Sequence, residues 1–132
     1  MTKKEFKRRQ DQETRLSALG LTTEEADTLR RCSCTLTRWG ELECGGGNDH
    51  ASWAIERDEA TGKPYMVTYP HQGKTRRSAV ADREKGALKR IKAICGKHGL
   101  YFHHQGDCRG VALYVSPEPL TNSDYTRGIA VW

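Results

Sequence analysis

The hydrophobic period of this chain changes at Gly99. Before it, Leu88, Ile91, Ile94 and Cys95 recur at three- and four-residue steps, the repeat of a helix with one buried face. After it, Leu100, Phe102 and His104 alternate with Tyr101 and His103, which is the repeat of a strand. Beyond "QGDCRG", Val111, Leu113 and Val115 alternate with Ala112 and Tyr114 in the same way. One regular element cannot carry both patterns. The chain therefore places a helix over about 83–98 directly before a β-hairpin, with Gly99 as its left-handed C-cap and Asp82 as its N-cap. Helices and hairpins that follow one another in this way make an α+β fold.

The flanking segments extend this reading. Thr22 and Glu25 have the spacing of a capping box, with Leu21 just before them. Ala26, Leu29, Cys32, Leu36 and Trp39 then share a helical face, and Gly45 in "CGGGN" is expected to end the helix. Residues 52–58, "SWAIERD", and 64–69, "PYMVTY", read as two strands, with a glycine-bearing turn at "EATGK". "PHQGKTRRS" reads as a polar, basic loop, and "RGIAVW" as a last strand. The first 20 residues form a basic arm or frayed helix, in which Glu5 and Arg9 could pair at i,i+4. The expected architecture is thus a single α+β domain over 21–132: N-terminal helices, a β-hairpin, a basic amphipathic helix, and a second β-hairpin forming a small antiparallel sheet.

Hydrophobic residues make up 36% of the 132 residues, enough for one modest core. Lys plus Arg number 22 against 17 Asp plus Glu, and a formal charge of +5 permits an acidic partner, nucleic acid or protein. No stretch is long and apolar enough to cross a bilayer, and the N-terminus lacks the apolar segment of a signal peptide. The expectation is a cytoplasmic protein without a membrane partner. Five cysteines, an odd number, argue for thiols over a complete disulfide framework.

Four chemistries can be weighed. Cys32, Cys34, Cys44 and His50 are a possible zinc set, but Cys32 and Cys34 have a single residue between them in a helix and point in nearly opposite directions. Glu56 and Asp58 share a strand face and Lys63 follows, which are parts of a metal-dependent nuclease site, although the required strand pattern, an acidic residue one step before the lysine, is missing. Cys108 lies near His103 and His104, without a nucleophile elbow or oxyanion signature. His104, sharing a face with Leu100 and Phe102, reads as a satisfied, half-buried core histidine. The fourth chemistry is binding. Tyr101, His103 and Tyr114 can share one sheet face as stacking platforms, with Lys89, Lys92, Arg76 and Arg77 framing it. The same aromatics could instead pack beneath the N-terminal helices. In the hairpin loop, Gly106 and Gly110 are expected to allow the turn and Asp107 to hold it. Arg109 is then free to present its guanidinium to a carboxylate or phosphate, supported by His103.

"LRRCSCTLTRWGELECGGGN", "IERDEATGKPY", "DREKGALKRI", "HQGDCRGVALYV" and the closing "YTRGIAV" resemble, in order and spacing, a family of small proteins from tailed phages and prophages of proteobacteria. The likeness runs from about residue 20 onward. The chain departs from the family pattern at Cys108, where the family carries proline, and at Cys32 and Cys34, which are not usually cysteine there. The resemblance implies a phage context. Small phage accessory proteins commonly act by binding, and many block host defence, anti-CRISPR proteins among them. The expected function is therefore a non-catalytic phage accessory protein that binds a host nucleoprotein or nucleic acid, as a host-defence inhibitor of the anti-CRISPR kind would, with no cofactor or metal. The alternative is a small metal-dependent nuclease using Glu56 and Asp58.

Overall fold

A computed structural model of the protein describes residues 2–43, 52–69, 74–80, 82–107 and 110–131, with side chains at 38–43, 52, 82–83, 107 and 110–112 outside that description. The described elements run in the order α1 (Lys3–Ala18), α2 (Thr23–Glu43), β1 (Ser52–Arg57), β2 (Pro64–Tyr69), β3 (Arg76–Ala79), α3 (Asp82–Lys97), β4 (Tyr101–Asp107), β5 (Gly110–Ser116), a 3-10 turn at Tyr125–Arg127, and β6 (Ile129–Val131). The six strands form one antiparallel sheet in the order β3-β2-β1-β4-β5-β6, so the fold is α+β.

The period change at Gly99 survives in three dimensions. Gly99 adopts φ +65° and closes α3, and the Leu100 amide donates back to the Cys95 carbonyl at 2.8 Å. The Thr22–Glu25 capping box is also formed, each side chain bonding the other's backbone amide at 3.0–3.1 Å. A second capping box, Thr2 with Glu5, starts α1. The first half of α1 is exposed, as a basic arm would be. Its second half docks along one edge: Leu16 is buried in the core, and the buried Gln12 side chain donates to the Ala130 carbonyl of β6 at 2.7 Å.

All three helices contribute to one core. Leu29, Cys32 and Leu36 of α2 meet Leu88, Ile91 and Cys95 of α3 over Leu113, Val115 and Val131 of the sheet. Burying an aliphatic side chain of this size contributes about 1.5–3 kcal/mol. A second cluster of Trp53, Met66 and Val80 extends the same sheet face toward β3.

Several expectations need correction. Arg76 to Ala79 is an edge strand paired to β2, not loop, and carries charge where a free edge benefits from it. The second hairpin is tighter than expected. Asp107 pairs with Gly110, leaving Cys108 and Arg109 between the strands and outside the described residues. Gly106 is not a turn residue. It sits within β4 beneath the Trp53 indole, where a Cβ would come within 2.3 Å of Cζ2. His104 is neither half-buried nor satisfied: it is 1% exposed, stacks on Trp53 at 4.7 Å, and neither ring nitrogen has a hydrogen-bond partner. Gly45, Cys44 and His50, and the side chains of Trp39, Asp82 and Asp107, lie outside the described residues.

Candidate nucleic-acid interface

The register fixes which residues share the sheet face turned away from the helices. Pairing of His103 with Tyr114, of Glu56 with Tyr65 and of Val67 with Arg77 puts these side chains, with Tyr101 and Tyr69, on that side. Tyr101 and Tyr114 are therefore not packed beneath the N-terminal helices. The chain after β5 folds back over one end of this face. Tyr125 stacks on His103 at 4.8 Å and meets Tyr114 edge-on at 5.0 Å. His103 is only 8% exposed and bonds Gln105 Oε1 at 3.0 Å. Tyr101, by contrast, is 50% exposed.

A cleft divides the sheet. β1 pairs with β2 along its whole length, and β4 with β5, but β1 meets β4 only through Ser52, Trp53 and Ala54. Past Ala54 the two strands part. The opening has a volume of about 870 Å³, a size that suits a small-molecule or nucleotide-sized ligand. Its open-face wall carries Glu56, Tyr65, Arg77, Tyr101, His103 and Asn122. Its helix-side wall carries Arg57, Lys92, Leu88, Leu100 and Phe102.

Hydrogen bonds organise the open-face wall around Glu56. Its carboxylate accepts the Tyr69 hydroxyl at 3.1 Å, the Tyr65 hydroxyl at 3.3 Å, and the Asn122 side-chain amide. Arg77 lies over the Tyr65 ring, 4.1 Å from its centroid, and donates to the same hydroxyl at 2.8 Å. Burial, and then the Glu56 charge beside them, pushes both tyrosine pKa values up, which keeps the hydroxyls as donors, although Arg77 opposes this at Tyr65.

Asp58 does different work. Its carboxylate accepts the Ala60 and Thr61 amides at 2.8 and 3.0 Å, capping the β1–β2 turn, and those amides hold its pKa below the usual carboxylate range. Glu56 and Asp58 are thus each engaged by local donors. No group of three or more His, Cys, Asp or Glu placed to hold a metal occurs among the described residues. Cys32 is buried and Cys34 exposed, on opposite sides of α2. Burial pushes the Cys32 thiol up, and the Cys95 thiol up to about 12, so both stay protonated.

The basic residues distribute around this cleft. Lys92 and Arg77 line it from opposite sides of the sheet, and Lys89 is exposed one turn from Lys92 on α3. With Lys85 they form a lysine stripe along the helix. Arg76 is exposed on β3, and its pairing opposite Thr68 puts it on the helix side of the sheet, away from Arg77. Arg109 lies outside the described residues. Arg57, Tyr125 and Asn122 were missed from sequence. Arg57 was legible in principle, being the next residue after Glu56 on a strand. Asn122 and Tyr125 sit in a segment with no hydrophobic period to place it.

The site and fold define an α+β protein with one sheet face covered by helices and the other split by a polar, aromatic-edged cleft. No family model matches the chain, and neither the curated proteins nor the solved structures contain a match. No helix among the described residues is long and apolar enough to cross a membrane.

Proposed function

We propose that the protein binds single-stranded nucleic acid, free or displayed on a host nucleoprotein, as a non-catalytic accessory factor. The observation that carries this reading is the alignment of exposed aromatic and basic groups along one cleft. Tyr101 offers a free ring, Arg77 and Tyr65 form a cation–π pair, and Lys92 ends a lysine stripe on the far wall. Stacked bases and neutralised phosphates are what such a combination suits. The sequence resemblance to small phage proteins supports a role in blocking host defence, of the anti-CRISPR kind. A metal-dependent nuclease gains no support, because Glu56 and Asp58 already accept tyrosine, asparagine and turn-amide hydrogen bonds.

Fluorescence anisotropy with labelled single-stranded RNA and DNA, at increasing salt, tests the proposal. Affinity should fall steeply with salt. Lys89→Glu with Lys92→Glu should abolish it, and Tyr101→Ala should weaken it by about 1–3 kcal/mol. No binding at low salt, or binding indifferent to these changes, overturns it. Cleavage of the probe in magnesium that disappears in Glu56→Ala overturns the non-catalytic part.

A further inference from the structure

We infer that the helix-side mouth of the cleft, between Arg57 and Lys92, is a binding subsite for a phosphomonoester. The inference deepens the nucleic-acid reading, on which it rests for the source of the phosphate.

Arg57 leaves β1 on the helix side of the sheet, and Lys92 projects from α3 into the same opening. Neither forms an ion pair with a carboxylate among the described residues. The acids nearby are directed elsewhere. Glu56 is the residue before Arg57 and so lies on the opposite face of β1, where three neutral donors occupy it. Asp58 and Glu59 also line the cleft, but the Asp58 carboxylate is folded into its turn and Glu59 is exposed on that turn, and neither is ion-paired with Arg57 or Lys92 among the described residues. Glu84 of α3 is buried two turns before Lys92 and does not line the cleft.

Two cations thus share one opening, Arg57 exposed and Lys92 partly buried, without a direct ion pair to either among the described residues. Burial, and then the nearby Arg57 charge, lowers the Lys92 pKa. Such a pair is destabilised by its own repulsion, and a dianion entering between them relieves it. A phosphomonoester fits better than a carboxylate or a phosphodiester. It carries up to two charges and three equivalent oxygens, enough for the Arg57 fork and the Lys92 ammonium together. Leu88, Leu100 and Phe102 add apolar surface to the same wall. Tyr101 lines the open-face wall of the same cleft.

A phosphomonoester could come from a free nucleotide or from the phosphorylated end of a strand. Calorimetry should use inorganic phosphate, AMP, adenosine, and one short oligonucleotide in 5′-phosphate, 3′-phosphate and unphosphorylated forms. The expected result is binding of AMP but not adenosine, and a preference of about tenfold or more for a terminally phosphorylated strand. Lys92→Gln and Arg57→Gln should each erase the preference while circular dichroism and melting temperature hold. AMP bound without any strand preference assigns the site to free nucleotides. Equal affinity for AMP and adenosine, or a phosphate preference that persists in both variants, overturns the subsite. If unphosphorylated strands still bind in a salt- and Tyr101-dependent way, the broader reading stands without it. Binding of phosphate or AMP alone, with no strand bound at any salt, would leave the subsite standing and the nucleic-acid reading overturned.

Discussion

The Arg30 guanidinium donates two hydrogen bonds to a single oxygen, Gln12 Oε1, at 3.2 and 2.9 Å. The same guanidinium reaches Glu13 at 2.5 Å and Asp27 at 2.8 Å, and the Gln12 amide passes on to the Ala130 carbonyl at 2.7 Å. Arg30 is nearly buried, so each donor needs an acceptor. This chain of contacts is what turns the second half of a highly charged helix into part of the domain. Gln12→Ala should therefore destabilise the protein by about 1–3 kcal/mol, because it orphans buried donors as well as deleting bonds. Urea denaturation measures this. Hydrogen exchange should show faster exchange in α1 and β6 before α3. An unchanged midpoint would mean that α1 is held by Leu16 alone.

Gly106 and Trp53 form a second dependent pair. They are directly opposed across β1 and β4, and the indole occupies the space of a Gly106 side chain. Gly106→Ala should cost about 1–3 kcal/mol through overpacking. Since the obstacle is the indole, Trp53→Leu should make the alanine tolerable. The double variant should be less damaged than the sum of the singles by at least about 0.5 kcal/mol. Additive losses would place the strain in the backbone.

These pairs show where sequence reading reached and where it stopped. The helix–strand switch at Gly99, the Thr22 capping box and the β1–β2 hairpin were legible because each is written in local spacing. β3 was not, since Arg76, Arg77 and Ser78 give an edge strand no apolar alternation. Gly106 was mistaken for a turn residue because glycine in a loop and glycine under an indole look alike until the partner strand is placed. His104 was rightly put on the core face, but its lack of partners depends on α2 lying above it. At the candidate site, Tyr101, His103 and Tyr114 do share a face, yet the covering of His103 by Tyr125 joins residues far apart in the chain. The cleft itself arises where β1 and β4 part, which no one-dimensional pattern encodes.

Glu25 links the start of α2 to the end of α3. Its carboxylate accepts the Thr22 amide, meets His98 Nε2 at 2.9 Å and receives Lys97 at 3.3 Å. The hydrogen bond to the Thr22 backbone, then that to His98, lowers its pKa to about 2. A carboxyl depressed in the folded state adds stability above its ordinary pKa of 4.5, and that stability is lost as pH falls toward 2. Glu25→Gln should thus be less stable than the parent protein at pH 6. The gap should shrink through this acid window and close near its lower end. A gap of constant size from neutral to strongly acid pH would show that the charge contributes nothing.

His104 should give the opposite kind of variant, one that improves the protein. Its ring is buried against Trp53 with both nitrogens unpartnered. Burial lowers its pKa from the ordinary 6.5 to about 3, against the pull of the Ser33 backbone, which lies near the ring but outside hydrogen-bonding geometry, so the folded protein holds it neutral. Below pH 6.5 the unfolded chain takes up a proton that the folded one refuses. Stability then falls with acidification, by at most about 1.4 kcal/mol per pH unit, until the folded-state value is reached. This loss begins above the acid window of Glu25, so the two can be separated. Phenylalanine has nearly the same shape, stacks on the same indole and brings no polar atom. His104→Phe should be neutral to stabilising at pH 7, by up to about 1–2 kcal/mol. It should also flatten the dependence of the urea midpoint on pH between 6.5 and about 4.5, leaving the Glu25 limb intact. Marked destabilisation at pH 7, with the acid slope unchanged, would mean that the imidazole has a polar partner in solution, such as an internal water.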